Sequence, residues 1–92
     1  MNKRRVVVTG LGIVSPVGNS VKQSWDNILN GVSGIDYLTN LDTEGQVVTF
    51  GGSVKDFDIG DYISPKDAKK MDIFIHYGMA AGIQAIEDSG IE

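Results

Sequence analysis

The sequence contains no cysteine and a single histidine, His76, and these two scarcities exclude several kinds of site. Without cysteine the 92 residues hold no disulfide, no thiolate metal site and no thiol nucleophile. One histidine with no second histidine nearby does not make a usual zinc site, and acid–base catalysis would need a nucleophile that the sequence does not indicate. We therefore expect His76 to be structural, and we predict no catalytic residue, no metal ligand and no cofactor site in this chain.

Positive charge and long apolar runs are also scarce. Eight lysines and arginines face twelve acidic residues, so the net charge of −4 is not that of a nucleic-acid-binding protein. No apolar run reaches the ~18 residues that a membrane span needs. The run after Lys3 is interrupted by Thr9 and Gly10, unlike the core of a signal peptide. We expect a cytoplasmic protein that binds neither nucleic acid nor membrane.

The first apolar segment, Val6–Val8, is β-branched without polar alternation, which is typical of a strand buried on both faces of a parallel sheet. Gly10 and Gly12 end it. A dinucleotide-binding loop would need another glycine or alanine three residues after Gly12, where Ser15 stands, and a helix beginning there. We interpret the two glycines as a strand-ending turn.

Two helices are predicted. Ser20 with Gln23 forms a capping box for the first, and Gly31 is placed to end it. Trp25 lies on the apolar face of this helix and is expected to be a core anchor. The second helix begins with Ser64 as N-cap and stops at Gly90, about 24 residues in all. From Ile73 to Ile86 it is apolar nearly all round, which indicates a helix covered on more than one side. Its stripe of small residues comprises Gly78, Ala81, Gly82 and Ala85.

The segment between the helices has weaker signals. Residues 32–46 are loop-like, and Val47–Val54 is a possible strand in which Gly51-Gly52 indicates a bulge or a close backbone approach. The segment from Lys55 to Tyr62 is acidic, but its carboxylates lack the spacing of a calcium loop, so a solvated loop is expected. The order of elements predicts an α/β fold. Such a fold needs a parallel strand after the long helix, so we expect the fold to be incomplete in this chain.

Three lysines stand out at the start of the long helix. Lys66, Lys69 and Lys70 occupy positions i, i+3 and i+4, so they share one helix face. Cations are mildly unfavourable at the positive end of a helix dipole, so their value to the helix is poor. Such a patch suits an anionic partner. An ordinary solvated helix start remains the alternative.

Several segments, spread from one end of the chain to the other, together match one known family. They are Arg4–Asn19, Trp25 with Leu29 and Gly31, Ser33–Ile35, Val54–Asp58, Lys70–Asp72 with Phe74 and Tyr77, and Asp88–Ile91. With these segments the chain resembles the condensing-enzyme family, the β-ketoacyl-acyl-carrier-protein synthases, and the Lys-Met-Asp and Asp-Ser-Gly segments favour the type II branch of that family.

The resemblance implies a thiolase-like fold with α-β-α-β-α layers, of which residues 1–92 form the start of the N-terminal half, with no second domain. It implies a homodimeric enzyme that condenses acyl groups with malonyl-acyl carrier protein, with loss of carbon dioxide, in fatty-acid elongation. The family's catalytic cysteine and two histidines lie beyond the matched part, so this chain alone is expected to be inactive. Lys66, Lys69 and Lys70 match positions on the family's docking surface for acyl carrier protein. An inactive chain-length-type relative and a small module that binds an acidic protein are the alternatives.

Overall fold

The computed structural model describes residues 3–39 and 42–91, so residues 40 and 41 of the predicted loop lie outside it. These described residues form two short strands and three helices, with a 3₁₀ turn between the strands and the second helix. The elements are α1 (Val21–Leu29), β1 (Ile35–Tyr37), β2 (Phe50–Gly52), the 3₁₀ turn (Ile59–Asp61), α2 (Pro65–Ala68) and α3 (Ile73–Ser89).

Helix α1 begins and ends where the sequence predicts. The hydroxyl of Ser20 accepts a hydrogen bond from the Gln23 N–H at 3.1 Å. The Gln23 side chain reaches back one residue further than in the usual capping box and accepts from the Asn19 N–H at 2.8 Å. Gly31 follows the C-cap with φ of 71°, a left-handed conformation that glycine adopts without a Cβ penalty.

The sheet differs from the prediction. Strands β1 and β2 pair antiparallel in one-to-one register, from Ile35 opposite Gly52 to Tyr37 opposite Phe50. The strand predicted over Val47–Val54 is thus reduced to Phe50–Gly52, and β1 lies in the segment predicted as loop. The pairing contains no bulge. A Cβ on Gly52 would lie 2.9 Å from Cγ of Pro16, so a proline ring, and not another backbone, approaches this glycine closely.

The prediction of a buried strand over Val6–Val8 is wrong for this structure. The three valines are 94%, 66% and 79% exposed, and the segment has no β partner among residues 3–39 and 42–91. A strand satisfies its backbone only by pairing with a neighbour. β-Branched composition shows that these residues suit a strand, but it does not supply that neighbour.

The predicted long helix is broken in two. Ser64 caps α2 and accepts from the Asp67 N–H at 3.3 Å, as expected, but α2 ends after a single turn at Ala68. Asp72 has an extended backbone, with φ of −69° and ψ of 159°, and α3 starts immediately after it. A continuous helix cannot pass through this conformation. The predicted stop at Gly90 is confirmed, with φ of 73°.

Helix α3 carries the N-terminal segment directly on its backbone. A Cβ on Gly12 would overlap the carbonyl oxygen of Ala81, and a Cβ on Gly10 would overlap that of Ala85. Two of the four residues in the predicted stripe of small residues, Ala81 and Ala85, therefore lie in this contact. Two hydrogen bonds accompany it, from the Leu11 N–H to Asp88 Oδ2 at 3.0 Å and from the Ile13 N–H to Gln84 Oε1 at 3.1 Å.

The described residues do not enclose a core of their own. Ala68 and Ala80 are the buried hydrophobic residues among them, and no large side chain there is fully buried. The radius of gyration is 16.8 Å, against about 12 Å for a compact domain of this length. Trp25 is 58% exposed, so the prediction of a core anchor is wrong here. Helix α3 is likewise open on one side, where Phe74 is 68% exposed.

Candidate functional site

The three lysines lie on and just after helix α2. Lys66 is within the helical turn, and Lys69 is its C-cap, with helical φ and ψ of −65° and −19°. Lys70 continues the turn, because its N–H donates to the Asp67 carbonyl at 3.1 Å. All three side chains are exposed. The helix is far shorter than predicted, yet the turn places Lys66 and Lys69 on one side, with Lys70 adjacent.

The charge around this lysine surface (Lys66, Lys69 and Lys70) is mixed. Asp67 lies within the same turn and Asp72 follows it, and both are exposed. In the part of the chain that the structure describes, no carboxylate forms a salt bridge with any of the three ammonium groups. Three exposed ammonium groups thus exceed the two neighbouring carboxylates by one positive charge, and a surface that attracts an anionic partner requires such an excess.

Aromatic packing supports the segment that carries the lysines. Phe57 stacks on Tyr62 with a centroid separation of 6.3 Å and meets Tyr77 edge-on at 5.2 Å. These contacts connect the 3₁₀ turn region to α3. The half-buried ring of His76, one residue before Tyr77, places Nε2 2.9 Å from the Ala68 carbonyl oxygen at the end of α2. The structure thus gives His76 the structural role that the sequence indicates.

The other candidate residues have local structural roles. Asp56, Asp58 and Asp61 are exposed, and Asp58 caps the 3₁₀ turn by accepting from the Gly60 N–H at 2.8 Å. No cluster of histidine, aspartate and glutamate suited to a metal ion occurs within residues 3–39 and 42–91. In the same residues, no helix is long and apolar enough to cross a bilayer.

Two connecting side chains were not anticipated from the sequence. Gln84 binds the N-terminal segment through Ile13, and its Nε2 donates to the Asn19 carbonyl at 2.7 Å and to the Tyr62 hydroxyl at 2.9 Å. Gln84 is the polar residue within an apolar stretch of α3, which is the signal that could have indicated it.

Lys55 is the second of these side chains. Its ammonium donates to two backbone carbonyls from distant parts of the chain, those of Gly34 at 3.1 Å and Pro16 at 3.4 Å, and to the nearby carbonyl of Ser53 at 3.3 Å. It therefore holds β1, β2 and the turn before α1 together. No local sequence pattern distinguishes it from a surface lysine.

Comparison with known proteins identifies the family. The family described as Beta-ketoacyl synthase, N-terminal domain, matches residues 3–92. The chain belongs to the β-ketoacyl synthase family. It is 58% identical over all 92 residues to a protein named 3-oxoacyl-[acyl-carrier-protein] synthase 2 from Vibrio harveyi. It is 59% identical over the same length to the protein of that name from Vibrio cholerae serotype O1, and 45% identical over 89 residues to the one from Staphylococcus aureus strain COL.

The solved structures confirm the fold of this β-ketoacyl synthase segment. A chain of the ishigamide ketosynthase/chain length factor superimposes on 99% of it with a TM-score of 0.85 and 34% identity. The segment is therefore part of a thiolase-like ketosynthase fold, as the sequence predicts. It spans 22% of the length of each of the three relatives and 23% of that solved chain.

Proposed function

We propose that this chain is the N-terminal segment of a 3-oxoacyl-[acyl-carrier-protein] synthase 2, a homodimeric enzyme that elongates fatty acids. The supporting observation is 58% identity over its entire length to the Vibrio harveyi protein of that name. The parent reaction joins an acyl group to the two-carbon unit of malonyl-acyl carrier protein and releases carbon dioxide. Residues 1–92 begin the N-terminal half of the fold and contain no thiol nucleophile, because the sequence has no cysteine. The cytoplasmic location stays a prediction.

A graft tests this assignment. The chain replaces the matching first 22% of the Vibrio harveyi relative, giving what we call the grafted synthase. If the segment is a synthase 2 N-terminus, the grafted synthase should fold and condense acyl groups at a rate close to that of the unmodified relative. A grafted protein that is folded and dimeric but lacks condensing activity would contradict the assignment.

Within this function, we propose that the lysine surface docks acyl carrier protein, an acidic partner. Three exposed ammonium groups without salt bridges among the described residues supply the complementary charge. Charges of this kind act mainly on the rate at which the two proteins meet. Salt weakens the attraction between them, because the Debye length shrinks to ≈ 10 Å at 0.1 M. The lysines would then matter most at low ionic strength.

Charge reversal tests the docking surface. In the grafted synthase, the combined variant Lys66→Glu, Lys69→Glu and Lys70→Glu should raise the KM for acyl carrier protein about 3- to 150-fold at low salt, since three exposed ion pairs that contribute ~0.2–1 kcal/mol each are lost. The difference should shrink as salt is added. Lys22→Glu is the control, because Lys22 is an exposed lysine on the separate helix α1. An unchanged KM at low salt would refute the proposal.

The alternative that the chain belongs to an inactive chain-length-type relative is kept, because it is 34% identical to the solved chain of the ishigamide ketosynthase/chain length factor. An active synthase needs a nucleophilic cysteine, so any coding sequence downstream of residue 92 decides between the two. The independent-module alternative has less support, because the described residues bury no large side chain completely.

A further inference from the structure

Helix α2 is too short to hold its own position. It has four residues, and a helix of one turn does not persist in water without outside contacts, because nucleation is unfavourable. Two contacts on the described residues supply this support. Ala68 is buried, and its carbonyl oxygen lies 2.9 Å from Nε2 of His76 on α3.

The chemistry of the two groups decides which of them donates this hydrogen bond. A carbonyl oxygen accepts hydrogen bonds and cannot donate, so Nε2 of His76 carries the proton and donates it to Ala68. That carbonyl belongs to the peptide group joining Ala68 to Lys69. The bond therefore fixes the orientation of the peptide plane from which Lys69 and then Lys70 continue.

His76 is itself held firmly. The backbone N–H of His76 donates to the Asp72 carbonyl at 3.3 Å in the first turn of α3. The next residue, Tyr77, packs edge-on against Phe57. The Ala68 carbonyl also accepts from the Met71 N–H at 3.2 Å, so loss of the histidine would not leave it without a partner. Removing the His76 bond should therefore loosen the turn without unfolding it.

We propose that His76 is a positioning residue for the lysine surface: its Nε2–H, bonded to the Ala68 carbonyl, orients the turn that presents Lys69 and Lys70 to acyl carrier protein. This inference rests on the proposed function. Without the bond the same charges remain, but they sample more orientations, so fewer encounters with the partner become productive.

The experiment compares His76→Leu, which removes the donor, with His76→Gln, whose amide can restore it. In the grafted synthase at low salt, His76→Leu should raise the KM for acyl carrier protein about three- to tenfold, the range expected for one lost hydrogen bond, and leave kcat near its starting value. His76→Gln should recover most of the loss. Asn27→Leu is the matched control, because Asn27 is half-buried and its side chain also donates to a backbone carbonyl, that of Val17, away from the lysines. It should lower the melting temperature without raising this KM.

The outcomes separate the inference from the proposed function. If the charge-reversal variant weakens docking but His76→Leu leaves the KM unchanged, or His76→Gln fails to restore it, the positioning role is refuted and the docking surface stands. If charge reversal has no effect, both fall. If His76→Leu does not fold, ¹⁵N spectra of histidine-labelled grafted synthase decide. A protected proton on Nε2 supports the bond, whereas a ring that carries its only proton on Nδ1 overturns it.

Discussion

Replacing Gly12 by alanine should weaken the attachment of the N-terminal segment to helix α3. The added Cβ would overlap the Ala81 carbonyl oxygen and approach N of Ala85 to 2.8 Å. Both are main-chain atoms of a regular helix, which cannot turn aside as a flexible side chain can. Gly12→Ala must therefore either strain the contact or lift the segment off the helix.

The two responses differ in free energy. Overpacking a close contact costs about 1–3 kcal/mol. Lifting the segment breaks the hydrogen bonds of Leu11 and Ile13, and the bond of Leu11 to the Asp88 carboxylate is charge-assisted, so this costs about 2–4.5 kcal/mol. The molecule takes the less costly response, and we expect a local destabilisation of about 1–3 kcal/mol.

Hydrogen exchange measures this effect where it occurs. The N–H groups of Leu11 and Ile13 are held by the contact, so in the Gly12→Ala grafted synthase they should exchange roughly 5- to 150-fold faster, the equivalent of 1–3 kcal/mol. Thr9→Ala, an exposed position in the same segment, should change their exchange less than about threefold, since surface substitutions stay within ±0.5 kcal/mol. Unchanged exchange in Gly12→Ala would refute the reasoning, as would rescue by Ala81→Gly, because the clashing atom is a carbonyl that this change retains.

Two further predictions concern the hydrogen bonds that organise the chain. Gln84→Leu loses the hydrogen bonds to Ile13, Asn19 and Tyr62. It should lower the unfolding free energy of the grafted synthase, measured by urea titration, by about 2–4 kcal/mol. A loss below ~0.5 kcal/mol would show that these bonds contribute little. Ser20→Ala removes the N-cap of α1 and should cost about 1 kcal/mol in the same titration, with Ser20→Asp restoring it; equal stability of the two variants would contradict the capping role.

The features predicted correctly are those that depend on neighbouring residues. The cap at Ser20 and the stops at Gly31 and Gly90 are read from positions within one helical turn, where the sequence pattern and the geometry coincide. The spacing of Lys66 and Lys69 also survives, because a single turn is enough to place them on one side.

The features that were missed depend on distant contacts. Strand β1 exists because Ile35–Tyr37 meets Phe50–Gly52, a pairing that neither segment reveals alone. Asp72, a good N-cap residue ahead of an apolar run, indicates the break before α3, but the helix formers Lys69, Lys70 and Met71 before it favour a helix that continues. The His76 bond to Ala68 follows from that break, so the prediction of one continuous helix excludes it.

The way Lys55 joins three loops has a practical consequence for biochemistry at different ionic strengths. Its ammonium is matched by the dipoles of nearby carbonyls, and no salt bridge appears among residues 3–39 and 42–91, so the tertiary links described in this segment are contacts that dissolved ions barely weaken. Sodium chloride should then act selectively, reducing long-range attraction at Lys66, Lys69 and Lys70 while the architecture beneath them persists. A salt series therefore distinguishes recruitment of the partner from integrity of the fold in one sample.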